Sequence, residues 1–282
     1  MKDNLKKIVI EDFESSYGKK LQNLQLSYQF FGRRLGTAPI ILINHALTGN
    51  SVVSGKYGWW SEIVGINRAV DLNKFTVLCI NIPGNGFNEE NFNFSVELNL
   101  GDIAHIFIKA LDKLKISKLY AIIGGSIGGC LTWEMAAIKN DIAEKIIPVA
   151  SDWKANDWVI ANTFLQDRIL ENSKDPIGDA RIHAMTFYRT PESLNHRFSR
   201  SKNIEKGIYN VESWLNHHAI KLNQRFSLNS YKFLNKLLRS ADITRDDSRL
   251  ESKIMRSKSE IYIISVDSDI FFLPDEDRIT TQ

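Results

Sequence analysis

Short runs of nearly unbroken apolar residues recur along this chain, and the stretches between several of them carry helical patterns. Ile40-Ile41-Leu42-Ile43, Phe75-Thr76-Val77-Leu78-Cys79-Ile80, Leu119 to Ile123, Lys145-Ile146-Ile147-Pro148-Val149-Ala150 and Ile261-Tyr262-Ile263-Ile264-Ser265-Val266 read as strands. Continuous apolar strands are those of a parallel sheet covered on both faces. By contrast, Lys7 to Glu11 and Leu24 to Phe30 alternate, which predicts two antiparallel edge strands opening the fold. Ile103, Ile106, Phe107, Ala110 and Leu114 form one helical stripe. The alternation predicts an α/β fold, a mostly parallel sheet with helices on both faces. Residues 151–259 are rich in Asn, Arg, Lys and aromatics, with helical periodicity and no convincing strand. This segment reads as a helical lid inserted before the last strand, between a core over 1–150 and its continuation over 260–282.

Gly124-Gly125-Ser126-Ile127-Gly128 follows the strand Tyr120-Ala121-Ile122-Ile123 and opens a helical stripe of Ile127, Leu131, Met135 and Ile138. With Gly and Ser at roughly 7% each, three such fixed positions recur by chance in about one chain in ten. The pentapeptide therefore carries little alone, and its strand-to-helix context decides. That context is a nucleophile elbow: a serine on a sharp turn projects its hydroxyl above the sheet, and small neighbours are needed because the backbone is cramped. The helix that follows aims its free N–H groups at any anion forming nearby.

Composition removes several alternatives. At 282 residues, 43% hydrophobic and 24% charged, the chain is an ordinary globular protein, one large domain or a core with a subdomain. Its net charge of +3 comes from 36 basic and 33 acidic residues intermixed without a basic stripe, so nucleic-acid binding is not expected. No run approaches the about 18 apolar residues of a membrane span, and Met1 to Ile10 lacks the apolar stretch of a signal peptide. A cytoplasmic protein without membrane contact is the expectation. Cys79 and Cys130 lie in strand-like and helix-like runs and read as buried thiols rather than a disulfide. His217-His218 has no carboxylate or cysteine at ligand spacing, so no metal is expected.

Acyl transfer through serine needs a base, an acid that orients it, and donors for the oxyanion. In this fold the acid follows the serine and lies after a late strand, where Asp267 and Asp269 compete. One oxyanion donor is the N–H of Ile127, and another comes from the loop Asn44-His45-Ala46-Leu47-Thr48-Gly49-Asn50.

Taken together with the paired Trp59-Trp60, Gly129, Ala180-Arg181, Thr186-Phe187-Tyr188-Arg189 and Ser268-Asp269-Ile270-Phe271-Phe272, these motifs resemble the homoserine O-acetyltransferase family of the α/β-hydrolase superfamily. The resemblance implies Ser126 as nucleophile, Asp269 as acid, Leu47 and Ile127 as oxyanion donors, and Arg181 and Tyr188 as substrate-binding residues of the lid. It implies acetyl-CoA as co-substrate, no cofactor, homoserine as acceptor in methionine biosynthesis, and a homodimer. A guanidinium suits Arg181 to its role, because it grips a carboxylate at two points.

The chain departs from the family in Ile82-Pro83-Gly84-Asn85-Gly86-Phe87-Asn88, where a Gly-rich loop with cysteine is usual, and in a shorter lid before Ala180-Arg181. Succinyl transfer and a serine acceptor therefore stay open. The larger departure concerns the base. The family's catalytic histidine lies beyond the acid, whereas His45, His105, His183, His196, His217 and His218 all precede Asp269. Asp275-Glu276-Asp277 begins a helix that would lead to it, so the sequence reads as cut short at Gln282. His45 is expected to support the elbow, and His183 would approach from the lid without an alignment to Asp269. The alternatives are a catalytically incompetent fragment or pseudoenzyme and an esterase-type serine hydrolase.

Overall fold

A computed structural model describes residues 4–87, 92–245, 247, 249, 252–253 and 256–281. Met1, Asn88 and Gln282, which figure in the readings above, lie outside them, as does part of 246–255 within the predicted lid.

The sheet contains β1 (Lys6–Glu14), β2 (Lys20–Gly32), β3 (Ile40–Asn44), β6 (Thr76–Ile80), β7 (Leu119–Gly125), β8 (Ala143–Val149) and β11 (Glu260–Ile261). The spatial order is β1-β2-β6-β3-β7-β8-β11. β1 pairs antiparallel with β2 and β2 antiparallel with β6, while every other pairing in this sheet is parallel. Only β1 of the opening pair is therefore an edge. β2 is interior because Leu26 to Gln29 is buried on both faces where Tyr28 meets Ile80.

The apolar strands divide their side chains between two cores, as a period of two dictates. Leu42, Leu78, Ile80 and Ile122 face the larger core with Ile103, Ile106 and Phe107 of α1 (Leu100–Lys113) and Leu131 and Met135 of α2 (Ile127–Ile138). α1 starts where it does because Asn99 and Asp102 form a reciprocal capping box. Ile41, Ile43, Val77, Cys79 and Ala121 face the opposite way. Here the helices predicted on both faces give way, among the described residues, to a loop segment. Val53, the stacked Trp59 and Trp60, and the small pair β4 (Val64–Gly65) and β5 (Val70–Asp71) cover that face. Cys79 and Cys130 are both buried free thiols.

Between β8 and β11 come α3 (Asp157–Asn172), α4 (Pro176–Met185), α5 (Pro191–Phe198), α6 (Asn210–Asn223) and α7 (Leu228–Arg239). Asn156, Asp175, Thr190 and Ser227 cap four of them with side-chain oxygens on N–H groups of the first turn. A two-stranded ribbon, β9 (Lys202–Asn203) with β10 (Ile208–Tyr209), interrupts a segment read as helical throughout. Leu170, Ala180, Leu222, Leu234 and Leu237 of these helices join the larger core rather than form their own. The chain then passes through β11 to α8 (Pro274–Thr281), which holds the Asp275-Glu276-Asp277 start predicted for it. Among the described residues, no helix is long and apolar enough to cross a membrane.

Candidate active site

β7 ends at Gly125, and α2 begins at Ile127, so Ser126 alone makes the turn. Its φ of 56° and ψ of −129° lie in a region that non-glycine residues rarely occupy. The conformation is held from both sides. Ser126 N–H donates to the Val149 carbonyl at 3.1 Å, and the Ser126 carbonyl accepts from Gly129 and Cys130 at 2.8 and 3.0 Å. Glycines make the turn physically feasible: a Cβ on Gly124 would run into the Gly128 carbonyl, and one on Gly128 into that of Asn44. Ile127 is the first residue of α2, so its N–H has no intrahelical acceptor.

The facing loop follows β3. Gly49 N–H closes a turn onto the Ala46 carbonyl at 2.7 Å, which places Leu47 and Thr48 at the corner. His45 is fully buried beneath it. Its Nε2 accepts from Ile82 N–H at 2.9 Å, which assigns the ring proton to Nδ1, and Nδ1 donates to the Ala46 carbonyl at 2.8 Å. Burial lowers its pKa to about 4 despite the opposing Ala46 bond, so His45 is a neutral brace for the loop. From the other side, Arg225 Nη1 donates to the Thr48 carbonyl at 2.8 Å.

Ser126, Leu47, Asp269 and Tyr188 line one cavity of about 600 Å³, together with His183, Gln166, Tyr231 and Phe271. Asp269 Oδ1 accepts from Phe271 and Phe272 N–H at 2.8 and 3.0 Å, which fixes the carboxylate on its loop. Asp267, its sequence competitor, is 95% exposed and faces Arg278 at 3.8 Å. Arg181 is not among the residues that line the cavity; its guanidinium packs 5.1 Å from the ring of Tyr188, which does. Burial, then Tyr188, raises the pKa of Tyr231, while Arg181 opposes them. Among the described residues, no hydrogen bond to the Ser126 hydroxyl is found, and His183 is the one histidine that lines the cavity.

Several neighbours were not legible beforehand. Gln166 on α3 and Asn235 on α7 are buried polar residues of this wall, and nothing in their sequence surroundings sets them apart from other polar helix residues. Behind Asp269 lies Asp152, 5% exposed and with both carboxylate oxygens lacking a hydrogen-bond partner. Burial, then Asp277, Glu276 and Asp269, raises its pKa to about 7. His217 and His218 pack ring to ring at 5.6 Å, and among the described residues no group of His, Cys, Asp or Glu side chains could hold a metal ion.

A family model for the alpha/beta hydrolase fold matches residues 39–279. The homoserine O-acetyltransferase of Corynebacterium diphtheriae is 30% identical over 93% of this chain and 80% of its own length. That of Symbiobacterium thermophilum is 29% identical over 90% of this chain and 78% of its own. Among solved structures, homoserine O-acetyltransferase from Staphylococcus aureus superposes with a TM-score of 0.85 at 23% identity, covering 98% of this chain and 83% of that one. An acetylester hydrolase from Corynebacterium glutamicum gives 0.83 at 18% identity, over 98% and 84%. The two structural likenesses speak for the fold alone. An elbow serine under a turn braced by His45, with sequence relatives of this kind along nearly the whole chain, places it: the chain belongs to the homoserine O-acetyltransferase family, within the α/β-hydrolase fold.

Proposed function

We propose that the protein moves an acetyl group from acetyl-CoA to the hydroxyl of homoserine through an acyl-enzyme on Ser126, a step of methionine biosynthesis. The observation that carries this reading is the strained Ser126 sharing one cavity with Leu47 and Asp269. Ser126 Oγ attacks the thioester carbonyl, and the developing oxyanion is met by the N–H groups of Leu47 and Ile127. The C–S bond breaks, and the serine proton passes through a base to the departing CoA thiol. Homoserine's hydroxyl then attacks the ester, its proton returns to Ser126, and O-acetylhomoserine leaves. Arg181 and Tyr188 hold the acceptor from the inserted helices, which act as a lid. Excluding water is what separates transfer from hydrolysis, since water would attack the same ester.

A second reading rests on the base. Among the described residues, no histidine hydrogen-bonds the Ser126 hydroxyl. On that reading the chain binds the ligands without turnover, because loss of the triad histidine costs about a millionfold. Steady-state kinetics with acetyl-CoA and homoserine test the choice. Equal consumption of both with parallel double-reciprocal lines supports transfer. CoA release independent of homoserine assigns a hydrolase, and ligand binding with no CoA release assigns the second reading.

A further inference from the structure

One polar pair in the cavity wall has no part in the chemistry just described. Gln166 on α3 is 8% exposed, and its amide Nε2 lies 3.1 Å from the Ala180 carbonyl and 2.9 Å from Nδ1 of His183, both on α4. A backbone carbonyl can only accept, so the nitrogen of the amide must face it; the reverse orientation would set two acceptors against each other. The same NH₂ group has a second hydrogen, and His183 Nδ1 receives it. Nδ1 is thereby an acceptor, and the single proton of the neutral ring sits on Nε2. Burial lowers the pKa of His183, in keeping with a neutral imidazole. Phe187 packs edge-on at 5.1 Å and holds the ring plane.

Two consequences follow for the cavity. With Nε2 already protonated, His183 cannot take the Ser126 proton through that atom, so it is a donor and not the base. The wall that carries it is also the cationic one. Arg189, shortly after α4, also lines the cavity, with Nη1 donating to Ser193 Oγ at 3.1 Å, whereas Asp269, the acid among the lining residues, sits on the loop after β11 with Oδ1 engaged by Phe271 and Phe272. An anionic acceptor oxygen fits that polarity better than a second donor does.

We infer that His183 is a substrate-binding residue whose Nε2–H donates to the carboxylate of an amino-acid acceptor, and that Gln166 is the positioning residue that fixes its tautomer. The identity of that acceptor as homoserine rests on the proposed function; the carboxylate site does not.

The test is nitrogen-15 NMR of the imidazole in the intact chain, titrated in parallel with L-homoserine, L-serine and aminopropanol, the homoserine analogue without its carboxylate. The free protein is expected to show His183 as the Nε2–H tautomer. Homoserine is expected to raise its pKa by about one unit, because a carboxylate favours the charged ring, and aminopropanol to leave it unmoved. In Gln166→Leu the Nδ1–H tautomer is expected to appear, with homoserine binding weakened about tenfold, as for loss of one charge-assisted bond. A shift with serine but not homoserine keeps the carboxylate site and overturns homoserine as the acceptor. A free protein in the Nδ1–H form, or a ring that no carboxylate shifts, overturns the inference, and neither readout depends on a variant that folds.

Discussion

At the scale of single residues, two buried ionisable groups act on stability in opposite directions. His45 has a folded pKa of about 4 against an ordinary 6.5. As pH falls from about 6.5 toward 4, the unfolded chain takes up a proton that the folded one refuses, and stability drops by roughly 3 kcal/mol. Asp152 is the reverse case, with a folded pKa of about 7 against 3.8. Its folded form keeps a proton that the unfolded chain releases, so stability falls by roughly 4 kcal/mol as pH rises from about 4 through 7. The two slopes nearly cancel in the native chain, and single substitutions separate them. Asp152→Asn is expected to raise the urea midpoint at about pH 8 and to lose that advantage as pH approaches 4; an equal gain at both ends would mean that the carboxylate does not titrate as described. His45 stands out in sequence as a support for the elbow, whereas Asp152 does not announce itself. An aspartate after a strand reads as a turn residue, and only its burial beside Asp277, Glu276 and Asp269 makes it unusual.

At the scale of elements, β7, the elbow and α2 form the unit that had to be right for the site to exist. Their close approach is absolute where Gly128 passes the Asn44 carbonyl of β3. Gly128→Ala is expected to cost about 3 kcal/mol or more by urea denaturation, since the obstacle is backbone and cannot rotate away; a cost below about 1 kcal/mol would show that α2 can shift from β3 freely. This unit was legible because a strand-helix switch and small residues leave a local signature. The last strand was less so. Ile261 to Val266 reads as one continuous strand, yet the ladder is regular only over Glu260–Ile261, followed by an isolated bridge between Val149 and Ile264. The cause is Pro148. Its carbonyl accepts from Ile264 N–H at 3.0 Å and the Ile264 carbonyl accepts from Ala150 N–H at 2.8 Å, but proline has no N–H to donate to the Tyr262 carbonyl between them, so one rung of the parallel ladder is missing. The aromatic residues of the lid segment told a similar half-truth: they suggested packing, but not that Phe187 would bridge His183 to Phe271 on the loop of the acid, at 5.1 and 5.9 Å.

At the scale of the whole molecule, the inserted helices are coupled to the loops that carry Leu47 and Asp269. Arg225 holds the Thr48 carbonyl, and Trp158 Nε1 donates to the Ile270 carbonyl at 2.9 Å, so the turn carrying Leu47 and the loop carrying Asp269 are each tied to the same inserted segment. Arg225→Ala is expected to slow acylation by about tenfold, as loss of one charged donor allows, while the urea midpoint moves little because the side chain is on the surface. A rate unchanged with the midpoint lowered would make Arg225 a structural tie instead. Such long-range ties explain why Ser126, Asp269 and the loop carrying Leu47, which share one cavity, could be singled out from motifs, whereas Gln166, Arg225 and Asp152 could not. The former sit at fixed places in strand-to-helix turns; the latter matter only through what the fold brings against them. The central claim is that Ser126 carries the acyl group, and intact-mass analysis after acetyl-CoA treatment tests it most directly. One added acetyl group is expected on the native chain, removed by homoserine and absent from Ser126→Ala; an acetyl group that persists in the variant, or none on the native chain, would rule out Ser126 as the acyl carrier.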